Sequence, residues 1–141
     1  MSTSYDDAVA MLCGPGGGME LVDAEVQGRT VKVFNGTPPS LRALFDLLRL
    51  RGADDTFVVF EDERWSYGQL VAQIDGLAAA LVDRYGIKPG DRVGIAMRNY
   101  PEWIVAYAAA TSVGAIAVCF NAWWTTEELD YGLADSGVRV V

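Results

Sequence analysis

Histidine is absent from all 141 residues, and with it goes the side chain that most often serves as a general base near neutral pH and as a metal ligand. Cysteine occurs twice, at Cys13 and Cys119, far apart and without a neighbouring Cys or His, so no zinc spacing is present. Cys119 lies in an apolar run, where a free thiol behaves as a small hydrophobe, and the pair points to a reducing, cytoplasmic setting. Positive charge is scarce as well. Eleven Lys and Arg stand against 19 Asp and Glu, for a net charge of -8, which argues against general binding to nucleic acid or to an anionic membrane. Asp6 and Asp7 occupy the place where an export signal carries cations, so export is not expected.

Long apolar runs are equally rare. The one uncharged stretch near the length of a membrane helix covers residues 103–120. It is rich in Ala and interrupted by Thr111, Ser112 and Gly114, so it reads as a buried helix followed by a strand rather than as a transmembrane span. With 51% hydrophobic residues, the chain can bury the core of one domain.

Residues 1–36 read as an attachment to that domain. A short helix follows Ser4, "GPGGG" (14–18) breaks the chain, and two strands, near 19–26 and 30–34, flank Gln27-Gly28 in a hairpin pattern. After the punctuation of "TPPS" (37–40), apolar residues from Leu41 to Leu48 recur at helical spacing, predicting one amphipathic helix from Leu41 to Arg51 that Gly52 ends. From there the chain alternates. Strands are predicted at "TFVVF" (56–60), "RVGIAM" (92–97), "AIAVCF" (115–120) and "VRVV" (138–141), with helices between them. The pattern β-α-β-α-β-α-β predicts an α/β fold: a partial parallel sheet with crossover helices. Ser66 with Gln69, Asn99 with Glu102, and Thr125 with Glu128 all have capping-box spacing and mark three helix starts. The helix from Tyr67 to Tyr85 places Leu70, Ile74, Leu77 and Leu81 on one face. Helix 100–113 is apolar almost all round, so it must be covered on most sides. Together with an unfinished last strand at 138–141, this leads us to expect that further protein belongs on the sheet, and that an isolated chain self-associates through the open edge.

In an open α/β sheet, ligands bind beyond the carboxyl ends of the strands. The loops predicted there are "EDER" (61–64), "RNY" (98–100) and "NAWW" (121–124). A phosphate cradle requires free backbone N–H groups and no negative charge at the helix start. The second loop runs instead into Pro101 and Glu102, and the third into Glu127 and Glu128. Arg98, Asn121, Trp123 and Trp124 are the candidate substrate-adjacent residues by position, with packing against other protein an equal account of the two tryptophans. "GPGGG" follows a helix and precedes a strand, the reverse of a dinucleotide fingerprint, and reads as a connector. Ser66 is explained as a cap, and no partner activates it or Tyr67 as a nucleophile. No catalytic residue, cofactor ligand or metal ligand is assigned.

The run from Thr56 to Val141 resembles the N-terminal region of the adenylate-forming superfamily, which includes acyl-CoA synthetases, luciferases and peptide-synthetase adenylation domains. "WSYGQL" (65–70) is similar to its early Thr/Ser-Tyr-x-x-Leu element. The Lys-Pro-Gly-Asp turn at 88–91, the Asn-x-Pro-Glu-Trp helix start at 99–103, the Gly-Ala before a buried strand at 114–115 and the Thr-x-x-Glu-Leu helix at 125–129 come in the family's order. Asn-Tyr-Pro-Glu-Trp is most like ligases of the fatty-acid type, while Ala122 stands where the family often has Pro. The resemblance implies that residues 37–141 begin the large AMP-binding domain of a ligase. Such a ligase activates a carboxylic acid with ATP and Mg2+ as acyl-AMP and passes it to coenzyme A. The family's phosphate-binding loop, ribose-binding Asp and catalytic Lys would lie downstream, so residues 1–141 are expected to be inactive alone, a structural part of a larger enzyme. Two other readings compete: an adenylation domain that loads a carrier protein, and a stand-alone interaction module without catalysis.

Overall fold

The computed structural model describes residues 4–141, which divide into two compact units, the chain passing from one to the other after Pro39.

In the first unit, helix α1 (Tyr5–Cys13) starts at Ser4, whose hydroxyl accepts the Asp7 N–H. Strands β1 (Leu21–Val26) and β2 (Arg29–Phe34) pair antiparallel from Leu21 opposite Phe34 to Val26 opposite Arg29. Gln27 and Gly28 both have positive φ, 50° and 75°, the primed turn whose twist matches a two-residue hairpin. The register puts Val22, Ala24, Val26, Val31 and Val33 on one face and the Lys32–Asp23 ion pair on the other.

The second unit holds the core. Helix α2 (Leu41–Asp46) is capped by Ser40 and tightens into a 3-10 turn at Leu47–Leu50, so the single helix predicted to Arg51 is shortened. The last turn still has a function: Arg49 reaches Asp75 in a two-pronged ion pair of 2.9 and 2.6 Å. The hydrogen bonds hold the Asp75 carboxyl below its ordinary range. With both partners about half exposed, the pair contributes no more than about 1 kcal/mol.

Strand β3 (Thr56–Phe60) departs from its predicted place. It pairs antiparallel with β4 (Glu63–Ser66) in a separate two-stranded sheet, because Glu61, at φ 48°, reverses the chain within two residues. "EDER" is therefore the hairpin's turn and return strand. Helix α3 (Tyr67–Asp83) comes next, and the Ser66–Gln69 capping box forms as predicted. Leu70, Ile74 and Leu81 are buried and Leu77 packs beside them.

The parallel element is β5 (Arg92–Ile95) beside β6 (Ile116–Cys119), joined through helix α4 (Pro101–Ser112). Val140 adds a parallel bridge to Val93 on the other side of β5, with Gly94 N–H donating to the Val140 carbonyl at 2.8 Å. Helix α5 (Thr126–Ser136) leads into that segment from Thr125, whose capping box with Glu128 is complete. The order across the sheet is thus β6, β5, then 138–141. The predicted parallel α/β arrangement is present in these three segments, and the predicted first strand is not part of it. The core combines Leu70, Ile74 and Leu81 of α3, Val105 and Ala108–Ala110 of α4, and Val93 of β5. Ala108, Ala109 and Ala110 are fully buried, so α4 is covered on several sides, as its composition requires. The uncharged stretch 103–120 divides into α4 and β6, and no helix among the described residues is long and apolar enough to cross a membrane. Cys119 is exposed, and β6 pairs only with β5 among the described residues.

The third capping box does not form. Helix α4 begins at Pro101 with Tyr100 as its cap residue and no side-chain capping bond. Proline at the first helical position supplies the fixed φ that the Asn99 box would otherwise have to enforce.

Thr125→Ala removes one hydroxyl acceptor at the start of α5 and should lower stability by about 1 kcal/mol, read from the urea midpoint. A second prediction concerns the Lys88–Asp91 turn. Asp91 Oδ2 accepts from the Lys88 N–H at 2.8 Å and from Arg139 at 2.6 Å, and the Lys88 bond first, then Arg139, hold its carboxyl below the ordinary range. A carboxyl depressed in the folded state contributes stability above its unfolded pKa and loses it as pH falls through the folded value. Stability should therefore fall on the acid side of about pH 4, and Asp91→Asn should flatten that limb. An unchanged acid limb in the variant would contradict the assignment.

Candidate functional site

Two strand exits and one helix start build a cleft beyond the carboxyl ends of β5 and β6. The last sheet bond runs from the Phe120 N–H to the Ile95 carbonyl at 3.0 Å. Beyond it one chain turns through Met97, Arg98 and Asn99 into α4, and the other turns through Asn121 to Trp124 into α5. The cavity has about 430 Å³ and is lined by Met97, Arg98, Asn99, Trp103, Phe120, Asn121, Ala122 and Trp123.

Each polar group there has a local reason for its position. Asn121 Oδ1 accepts the Trp123 N–H at 3.0 Å, and its carbonyl accepts the Trp124 N–H at 3.1 Å; this side-chain turn lets Asn121 substitute for backbone structure. Ala122, where a proline would have stiffened the loop, is thus held by its neighbour's side chain. The Arg98 guanidinium lies over the Trp123 ring, 4.2 Å from its centroid, an interaction of about 0.5–1 kcal/mol at an exposed site. No carboxylate forms an ion pair with Arg98 among the described residues. Trp103 is stacked on Tyr107 with centroids 5.2 Å apart and planes 8° from parallel, which fixes the inner wall. Phe120, 6% exposed, forms the floor.

Three of the four candidates, Arg98, Asn121 and Trp123, therefore meet in one cleft. Trp124 does not line it. Its ring packs against Phe120 at 6.0 Å, so its part is to support the floor. Met97, Trp103 and Phe120 are lining residues that strand-end reasoning missed; their signal was position, since Met97 and Phe120 end predicted strands and Trp103 lies in the first turn after the loop. Of the "EDER" loop, Glu63 lines a neighbouring hollow of about 410 Å³ with Phe60, Met97, Tyr100 and Glu102, beside the cleft.

The donor set does not fit a nucleotide phosphate or a metal. Pro101 supplies no N–H, Glu102, Glu127 and Glu128 bring negative charge to the two helix starts, and no group of three metal-ligating side chains occurs among the described residues. Cys119, the nearest thiol in sequence, is pushed above its ordinary pKa by desolvation, so at neutral pH it is a protonated, weak nucleophile.

The model of the AMP-binding enzyme family matches residues 45–141. The chain belongs to this family. It is 36% identical over 97 residues to the acyl-CoA ligase SID4 of Ajellomyces capsulatus, covering 69% of this chain and 16% of that protein. To the medium/long-chain-fatty-acid-CoA ligase FadD6 of Mycobacterium tuberculosis it is 35% identical over 103 residues, covering 72% and 17%. Among solved structures it superposes with TM-score 0.65 and 25% identity on NpsA-ThdA, an artificially fused adenylation-PCP di-domain from Klebsiella oxytoca, covering 70% of this chain and 19% of that one. The chain thus spans about a sixth of the length of the curated ligases it matches. The fold is that of the N-terminal domain of adenylate-forming enzymes, and the expectation drawn from the Lys-Pro-Gly-Asp and Asn-x-Pro-Glu-Trp elements is borne out at the level of the family.

Proposed function

We propose that residues 37–141 begin the AMP-binding domain of an ATP-dependent acyl-CoA ligase acting on a fatty or similarly apolar carboxylic acid, with residues 1–36 as an attachment. The observation that carries this reading is the family match over 45–141, joined to a cleft at the strand ends with an apolar floor and one unpaired guanidinium. Similarity to two acyl-CoA ligases supports coenzyme A as acceptor. The likeness to an adenylation-PCP fusion supports the second reading, a carrier-protein thiol. Both share the first step, in which the carboxylate attacks the α-phosphate of ATP and pyrophosphate leaves. The loops of this chain form no phosphate cradle, since Pro101 supplies no N–H and Glu102, Glu127 and Glu128 bring negative charge to the two helix starts, so no step of the family's ATP chemistry is assigned to residues 1–141. Their contribution is to position: β5, β6 and α4 set the cleft, and the Asn121 turn holds its lip. We place the protein in a reducing cytoplasm, on its two unpaired cysteines.

Reading the coding sequence beyond Val141 tests the proposal. Continuation through a Gly/Ser/Thr-rich loop ending in Lys is expected; a stop codon would favour the interaction module. The module reading draws on the outer edge of β6 and the exposed Val141, and it shares with the ligase reading the expectation that the isolated chain self-associates. Sedimentation that shows only monomer at high concentration would contradict that expectation.

A further inference from the structure

We draw no further inference here: the strongest candidate, the apolar groove of about 430 Å³ between α3 and the 138–141 edge of the sheet, lined by Leu77, Leu81, Tyr85, Ile95, Val140 and Val141, carries nothing because nothing in the structure shows what covers it.

Discussion

Leu70→Ala should destabilise the protein by about 2–5 kcal/mol, a large share of the roughly 5–15 kcal/mol that holds a domain folded. Leu70 is fully buried one turn into α3, where the Ser66 and Gln69 capping box fixes the helix start and leaves the side chain no freedom to retreat. It belongs to the cluster that includes Ile74 and Leu81 of the same helix and Ala108–Ala110 of α4. Truncating the isobutyl group to a methyl leaves a cavity between two helices whose contact is set by small residues, so neither can move in to fill it without strain. Val82→Ala on the same helix, at 45% exposure, is the control and should cost less than about 0.5 kcal/mol. Urea denaturation reads both, and similar losses for the two would show that α3 does not pack through the Leu70 face.

Gly94→Val should be nearly as severe, by overpacking. A Cβ at this position would lie 2.9 Å from Phe120 Cε2 and 3.0 Å from Val141 Cγ2, closer than such atoms approach. Gly94 lies within β5, bonded to β6 on one side and to Val140 on the other, so the strand has no free edge toward which to shift. The cost should be about 1–3 kcal/mol, and the second consequence is local: Phe120 is the floor of the cleft, and a displaced ring narrows it. The expected result is a lower urea midpoint. A folded variant with normal midpoint would mean that the segment 138–141 does not lie against β5.

The Leu70 face was legible beforehand from a 3.6-residue period, and the Thr125 and Ser66 starts from residue types that cap helices, so α3 and α5 could be placed from sequence. The position of β3 could not. Its residues suit a central strand, but its pairing is decided by the next segment of chain, and the two-residue reversal at Glu61 carries none of the Asn-Gly or Gly-rich signals that mark a hairpin. Asn99 misled for a related reason: its spacing to Glu102 is right, yet Pro101 begins the helix without it. At the site, strand-end logic found Arg98, Asn121 and Trp123, because their place depends only on where β5 and β6 stop. It gave Trp124 the same rank, since adjacent residues in a loop can point in opposite directions, and only the packing on Phe120 separates them.

The most direct test of the account is ATP–pyrophosphate exchange, measured with medium- and long-chain fatty acids on the 141-residue chain and on the full product of its coding sequence. The account predicts background exchange from the chain and acid-dependent exchange from the full product. Exchange by the chain alone, or none by the full product with any carboxylic acid, would contradict it.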